Sequence, residues 1–194
     1  MTVKLKKRGR PEKGKDGLSQ ERIVDTAKAM MKADGKIPSI RALAKELNID
    51  AMAIYHYFNN KDSVLEAVAI SLVEGIYEPT GTTRWQEEVS ELGWSYLKLL
   101  GEYPGLLETL FKMKSSGPAD VFMSRFNEIV DAINLTISER QNAVNLLADY
   151  LHGFAFSMQF SSASEEDKRA IYQGSISLYL KAVTPTLSCA KNRE

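Results

Sequence analysis

The chain has 194 residues, of which 44% are hydrophobic and 26% charged, a composition that excludes a collagen-like repeat and a chain disordered throughout. Its net charge is zero, but residues 1–60 carry 13 Lys and Arg against 7 Asp and Glu, whereas the remainder carries 12 against 18. A basic region of this kind suggests a polyanionic partner for that region.

Residues 1–17 predict a flexible basic arm. The segment MTVKLKKRGRPEKGKDG is rich in Lys and Arg, with few acids and almost no apolar residues. Within it, KKRGRP resembles the Arg-Gly-Arg-Pro core of AT-hooks, in which Arg8 and Arg10 would enter a narrow A·T minor groove. The alternative is non-specific attraction of the arm to phosphates.

Residues 18–60 predict three helices. Ser19 would cap a helix to about residue 33, Ser39 a second of about two turns, and Asp50 a third that ends near residue 58. Asn48, in the turn between the second and third helices, tolerates a left-handed backbone. The second helix has one apolar face, with residues at positions i, i+3, i+4 and i+7: Ile40, Leu43, Ala44 and Leu47.

A fourth helix is predicted to begin at Asn59 or Asn60. Its apolar stripe continues until Pro79, which marks a break in the pattern. Residues 61–78 are therefore predicted to form a helix that links the N-terminal domain to the rest of the chain.

Two short helices joined by a tight turn form the arrangement that sets its second helix in the DNA major groove. In DAMAIYHYF, residues 50–58, Ile54 and Phe58 share one face and would pack on the preceding helix. The outward residues would then be Met52, Ala53, His56 and Tyr57, with Tyr55 at the boundary. Tyr hydroxyls can bond phosphates, and Met or Ala can touch thymine methyls. The alternative is that these residues contact the C-terminal helices.

Residues 79–194 also predict helices only. Capping boxes formed by Thr83 with Gln86 and by Ser138 with Gln141 would open helices that end near residues 100 and 160. Pro104 would begin a short helix to about residue 113, a further helix carries the apolar residues between 121 and 133, and the last runs from about 165 to 183. The alternation typical of strands does not occur, and the predicted fold class is all-α.

The stretch IPSIRALAKELNIDAMAIYHYFNNKDSVLEAV, residues 37–68, resembles the DNA-binding domain of TetR (tetracycline-repressor-like) transcriptional regulators. The resemblance rests on the Ala-rich second helix, the aromatic-rich third helix and the Asn-Lys-Asp start of the fourth. It is close over residues 18–70, and beyond them only the all-helical architecture agrees. It implies a helix-turn-helix domain at 18–60, a linking helix at 61–78, and a larger ligand-binding and dimerisation domain at 79–194.

The resemblance also implies which residues contact an operator in double-stranded DNA. Arg41 matches a base- or phosphate-contacting position, Tyr55 and Tyr57 match phosphate-contacting ones, and Lys61 lies at a helix N-terminus that favours an anion. Asn48 stands where the family often has Gly. With the arm, the candidate set is Arg8, Arg10, Ser39, Arg41, Ala51, Met52, Ala53, Tyr55, His56, Tyr57 and Lys61. Since Ala51 to Ala53 offer few hydrogen bonds, specificity would depend on methyl contacts, Arg41 and DNA shape.

For the C-terminal part, the resemblance implies a small-molecule effector and a homodimer formed by the last two long helices. The side chains that could line an apolar pocket are Trp94, Phe111, Phe122, Arg125, Phe126, Tyr150, His152 and Phe154. Each has an alternative: the rings would be ordinary core, Arg125 would extend to solvent, and His152 would be satisfied by a core hydrogen bond. The alternative to the homodimer is a helix buried as the plain core of a monomer.

The sequence predicts neither catalysis nor a bound metal or cofactor. Its two histidines, His56 and His152, lie far apart, and no phosphate-cradling glycine loop or convincing metal-ligand spacing occurs. Cys189 is the only cysteine, which fits a reducing, cytoplasmic location, and polar residues interrupt the most apolar stretch, 143–160, so that no membrane span is expected. The prediction is a ligand-responsive DNA-binding repressor. The alternative is a helical dimer that binds small molecules or proteins and does not regulate through DNA.

Overall fold

The computed structural model describes residues 17–81 and 84–184, and within these ranges its regular structure is helical. The helices are α1 (Gln20–Asp34), α2 (Ile40–Glu46), α3 (Ala51–Ile54), α4 (Lys61–Val73), α5 (Trp85–Glu102), α6 (Pro104–Lys112), α7 (Gly117–Val130), α8 (Ile137–Met158) and α9 (Glu165–Val183). The predicted all-α class is confirmed. Most of the basic arm, with Arg8 and Arg10, lies outside the described residues, as do Thr83 and Cys189.

Side-chain caps set the start of each N-terminal helix. The side chains of Ser19, Ser39 and Asp50 accept backbone N–H groups two or three residues ahead, as their positions predict. Asn60 and Ser63 form a reciprocal capping box at the start of α4. Asn48 has the left-handed backbone expected of it, with φ 54°. Local chemistry therefore fixes where these elements begin.

Three details of the predicted helices are wrong. The linking helix, predicted over residues 61–78, ends at Val73. The helix α3 is one turn long, and residues 55–57 continue it only through turns with i+3 hydrogen bonds, such as Tyr57 N–H to the Ile54 carbonyl at 3.0 Å. The capping box of α8 is Thr136 with Glu139, two residues before the predicted pair. The Glu139 carboxylate accepts from the Thr136 hydroxyl at 2.7 Å and from Thr136 N–H at 2.8 Å, and these two bonds lower the pKa of Glu139.

The N-terminal helices pack around one apolar centre. Ile23 of α1, Leu43 of α2, Ile54 of α3 and Val64 of α4 are each at most 2% exposed. Helices this short are unstable alone, so the packing on α1 and α4 is what holds α2 and α3 in place. The helix α4 also packs on α5, α6 and α7 and joins this centre to the core of the C-terminal helices.

A second junction connects α1 to the turn between α5 and α6. The α1 helix ends at Gly35, whose φ is 63°, and a Cβ on Gly105 would lie 3.2 Å from the Gly35 carbonyl oxygen. Nearby, Lys32 forms an exposed ion pair with Glu102 at 3.1 Å. The N-terminal domain therefore contacts the C-terminal helices both through α4 and through the end of α1.

Within the described ranges, no helix combines the length and apolar character that crossing a bilayer requires.

Candidate DNA-binding surface and effector cavity

The recognition segment, residues 51–57, has a buried side and an exposed side. Ile54 is fully buried and Phe58, which follows the segment, is 7% exposed, whereas Met52 is 65% exposed and Tyr55 is 38% exposed. His56 is exposed as well. This division agrees with the i, i+4 spacing of the two buried residues. The segment therefore presents its outer side chains to solvent while two apolar anchors hold it on α1, α2 and α4.

Tyr57 has a structural role in the recognition segment. Its hydroxyl donates to the Leu18 carbonyl at 2.6 Å, and its own carbonyl accepts from Gln20 Nε2 at 2.9 Å. A phosphate oxygen only accepts hydrogen bonds, so this hydroxyl would have to leave Leu18 to bind one. The predicted phosphate contact of the Tyr57 hydroxyl is not supported. Its bonds instead hold the chain just before α1 against the recognition segment.

The other predicted contacts from α2 and α4 are exposed. Lys61 opens α4, where unpaired backbone N–H groups and the helix dipole favour an anion. Arg41 is the second residue of α2, and Ser39 caps that helix by accepting Ala42 N–H at 3.1 Å, which leaves its hydroxyl hydrogen for a further acceptor. Ala51 and Ala53 are half-buried. Exposure leaves these residues available for DNA, and the contact itself stays a prediction.

The inner cavity lies among α4, α5, α6, α7 and α8 and has a volume of about 230 Å³. Three of the predicted pocket residues, Phe111, Phe122 and His152, line it. The remaining lining residues are Val73, Tyr96, Leu110, Met113, Ser115, Pro118, Ala119, Met123, Val144, Asn145 and Ala148. Val73 belongs to the linking helix, so the cavity touches the element that leads to Lys61.

One buried hydrogen bond joins two polar groups of the inner cavity. The Tyr96 hydroxyl and His152 Nε2 lie 2.9 Å apart, and either can be the donor, depending on the imidazole tautomer. Burial raises the pKa of Tyr96, and burial lowers the pKa of His152, an effect that the nearby Asp149 carboxylate partly opposes. Both groups are therefore uncharged at neutral pH.

Arg125 lies elsewhere and caps the C-terminal end of α4. Its guanidinium donates to the Glu74 carbonyl at 2.7 Å and to the Ile76 carbonyl at 2.8 Å, with longer bonds to Val73 and Tyr77. A cation here complements the negative end of the helix dipole and satisfies carbonyls that have no helical partner. Arg125 is not among the residues that line the inner cavity, so the structure does not support its predicted pocket role, and its guanidinium bonds backbone carbonyls instead of extending to solvent.

The other four predicted pocket residues also lie outside the inner cavity. Trp94 and Phe154 line a separate outer groove of about 530 Å³ between α5, α8 and α9, which contains no α4 residue. Phe126 is fully buried, and Tyr150 packs against Tyr172 with ring centroids 6.4 Å apart. Ser115 and Asn145, which also line the inner cavity, were not predicted, because no local pattern distinguishes them.

The wall of the inner cavity is tied to the middle of α4. The Ser115 hydroxyl, on the loop before α7, donates to the Glu66 carboxylate of α4. At the start of α7, a Cβ on Gly117 would lie 2.8 Å from Ile70 Cδ1, so the two helices meet closely there. With Val73 and the Arg125 cap, the cavity and α7 therefore contact α4 at several points along its length.

The last two helices expose many large apolar side chains. The exposed fractions are 59% for Leu146, 58% for Phe156, 51% for Ile171 and 68% for Leu178. Phe160, just after α8, is 78% exposed and packs edge-on against Phe156. Apolar surface of this extent is unusual on a monomer.

In the described part of the chain, no group of three or more His, Cys, Asp or Glu residues could hold a metal ion.

Comparison with known proteins identifies the N-terminal domain. Residues 23–68 match the family model described as bacterial regulatory proteins, tetR family. This range contains α2, the recognition segment and the start of α4, which are the residues that carry the resemblance. No curated protein matches the chain in sequence.

Solved structures share the fold over most of the chain. BioQ bound to its natural double-stranded DNA operator is 20% identical, with a TM-score of 0.69, over 86% of this chain and 98% of that one. Mycobacterium smegmatis BioQ gives the same values. Streptomyces coelicolor ActR in complex with (S)-DNPA is 19% identical, with a TM-score of 0.70, over 86% of this chain and 96% of that one. A TetR variant of Acinetobacter baumannii in complex with minocycline is 17% identical, with a TM-score of 0.66, over 87% and 100%.

Proposed function

We propose that this TetR-family protein is a dimeric, ligand-responsive transcriptional regulator, a repressor that a small molecule releases from near-palindromic operator DNA. The observation that carries the proposal is the recognition segment, in which Ile54 is buried while Met52, Tyr55 and His56 are exposed to solvent. Solved structures that share its fold include BioQ with a DNA operator and ActR with a small molecule.

In this proposal the recognition segment enters the major groove. Met52, Ala53 and the exposed rings touch base edges and thymine methyls, and Arg41 supplies hydrogen bonds. Lys61 and the N-terminal amides of α4 bind a backbone phosphate, and Tyr55 binds another. Because few of these residues form bidentate bonds with bases, the shape of the operator contributes to the choice of site.

A second copy of the chain covers the exposed apolar face of α8 and α9. The exposed residues Leu146, Phe156 and Leu178 would be buried in that interface. Two-fold symmetry then places two recognition segments roughly 34–36 Å apart or a little more, which matches successive major grooves on one side of the DNA.

The effector binds in the inner cavity and acts through α4. This helix has 13 residues, spans about 20 Å, and runs from Lys61 at the DNA-binding surface to Val73 at the cavity. A ligand that moves the cavity wall would shift α4 through the Ser115–Glu66 bond and the Arg125 cap. A coupling free energy of about 1–3 kcal/mol would change operator affinity about 5- to 150-fold.

Selection of bound DNA from a random pool tests the proposal. The purified full chain should enrich a two-fold symmetric motif, and Arg41→Ala should relax the preference at the positions it contacts. Lys112→Ala removes one positive charge from α6 of the C-terminal domain and serves as the control that leaves the motif unchanged. Enrichment of no motif would instead favour a helical dimer that does not regulate through DNA.

A further inference from the structure

The size of the inner cavity restricts its occupant. A cavity of about 150 Å³ is enough to bind benzene, and this one has a volume of about 230 Å³. It therefore admits a single ring with a few additional atoms. Phe111 lines the cavity while 67% of it remains exposed, so its ring lies at the mouth. A much larger molecule would have to displace that ring or extend into solvent.

The charge of the lining restricts the occupant further. The residues that line the inner cavity include no Asp, Glu, Lys or Arg. Two carboxylates lie beside the lining, that of Glu66, which accepts the Ser115 hydroxyl, and that of Asp149, near His152, and both would repel an anion. Transfer of a charged ligand into such a site would leave its charge desolvated without a counter-ion in the lining. Uncharged molecules are favoured.

The Tyr96–His152 pair supplies one specific polar contact. The two groups share one hydrogen over 2.9 Å, so parting them exposes one donor and one acceptor toward the cavity. A hydroxyl group both donates and accepts, and it can bridge the parted groups whichever of them is the donor. Asn145, about two helical turns before His152 on α8, adds an amide to the lining. The rest of the wall is mostly apolar and suits a ring.

The outer groove has the opposite character. Its lining contains Lys98 and Lys168 together with Glu102 and Glu165. A charged compound therefore finds oppositely charged side chains there. One variant in each site can then show which of the two binds a given compound.

We propose that the inner cavity binds a small uncharged phenol or alcohol, about the size of one substituted ring, whose hydroxyl bridges Tyr96 and His152. This assignment rests on the proposed function, because it names the class of effector that the inner cavity binds. It assigns Tyr96 and His152 as the residues that distinguish a hydroxylated ring from a bare one.

Four matched probes test the assignment by calorimetric titration of the full-length protein without DNA. The probes are p-cresol, toluene, p-toluate and 4-methylbenzylammonium, which share one ring and differ in a single substituent. We expect p-cresol to bind about tenfold more tightly than toluene, because its hydroxyl can form two hydrogen bonds in place of the one that it parts, whereas toluene adds none. The two charged probes should bind more weakly still. Tighter binding of either charged probe, or no binding by any probe at its solubility limit, would overturn the assignment.

Variants locate the binding site. The double variant Tyr96→Phe/His152→Phe removes both partners of the hydroxyl and should remove the preference for p-cresol over toluene while toluene affinity is retained. A purely structural role would instead weaken both probes. Phe111→Ala, at an exposed position that folding tolerates, should weaken p-cresol and toluene alike. Lys98→Ala in the outer groove is the control and should leave p-cresol affinity unchanged. Weaker p-cresol binding in Lys98→Ala alone would place the site in the outer groove and contradict the proposal.

A second titration, with p-cresol added to the protein bound to its selected DNA, separates the two proposals. Binding of p-cresol with the expected selectivity but no change in DNA affinity would contradict ligand release and leave the cavity assignment standing. Normal DNA binding that p-toluate relieves and p-cresol does not would contradict the cavity assignment alone.

Discussion

The candidate DNA-binding surface and the inner cavity hold their polar groups in opposite ways. His56, Lys61 and Arg41 are exposed, whereas Tyr96 and His152 of the cavity form a partly buried hydrogen bond with each other. In the proposed function, DNA affinity arises from surface contacts that can be removed one at a time without loss of the fold. On the cavity side, the few contacts proposed to bind the effector also pack the core, so a change there should affect both.

The largest effect should come from Ile54, which lies in the recognition segment but is buried like the core residues. Ile54→Ala removes a fully buried side chain and should lower the free energy of unfolding by about 2–5 kcal/mol. Met52→Ala, two residues away and 65% exposed, should change it by less than about 0.5 kcal/mol. Chemical denaturation measures both. Equal losses of unfolding free energy in the two variants would contradict the division of the recognition segment into a buried side and an exposed side.

The packing between α5 and α9 should be the next most sensitive. A Cβ on Gly93 of α5 would overlap the Tyr172 hydroxyl, which is fixed by a 2.7 Å bond to the Ser90 carbonyl. Gly93→Ala should therefore lower the free energy of unfolding by about 1–3 kcal/mol.

Gly101 lies on the same helix with open space around it. Gly101→Ala should be neutral or stabilising by up to about 1 kcal/mol, because Ala favours helices. Thermal unfolding of the pair measures the difference. A Gly93→Ala protein as stable as the Gly101→Ala protein would contradict the close approach of α5 and α9.

Arg125 connects the two regions, and its removal should affect both moderately. Arg125→Met leaves the last carbonyls of α4 without charged donors and should lower the free energy of unfolding by about 1–2 kcal/mol. It should also reduce the factor by which p-cresol changes DNA affinity, with DNA affinity in the absence of p-cresol little changed. Arg125→Lys, which keeps the charge, should be intermediate. If p-cresol changed DNA affinity by the wild-type factor in both variants, Arg125 would not contribute to the coupling between the inner cavity and DNA binding.

The smallest effects should distinguish two tyrosines of the recognition segment. Tyr55→Phe should weaken DNA binding by about 0.5–1.5 kcal/mol without changing stability, because it removes one predicted phosphate contact. Tyr57→Phe removes the bond to the Leu18 carbonyl and should lower stability slightly instead. Anisotropy titration together with thermal unfolding compares them. If Tyr57→Phe weakened DNA binding and Tyr55→Phe lowered stability, the roles assigned to the two hydroxyls would be wrong.

The sequence predicts the N-terminal half well because its signals are local. Caps such as Ser19 and Asp50, and the i, i+4 pair Ile54 and Phe58, depend on residues within one or two turns. Even so, a local pattern can occur twice. Both Thr136 with Glu139 and Ser138 with Gln141 fit a capping box, and the stronger acceptor, an ionised carboxylate, decides the outcome.

The cavity could not be predicted in the same way because its residues meet only in the folded chain. Arg125 bonds carbonyls that lie 48 to 52 residues earlier in the sequence, and Tyr96 meets His152 across 56 residues. Trp94, Phe126 and Phe111 are all rings on helices, yet they lie in the outer groove, the core and the inner cavity respectively. Helical spacing alone does not tell these three environments apart.

Titration of the selected DNA with the wild-type protein and with Lys61→Ala, at several salt concentrations, tests the central claim most directly. If the exposed start of α4 binds a backbone phosphate, Lys61→Ala should weaken binding to every DNA sequence and reduce the slope of log affinity against log salt by about 1. Identical affinities and slopes for the two proteins would contradict the DNA-binding surface described here.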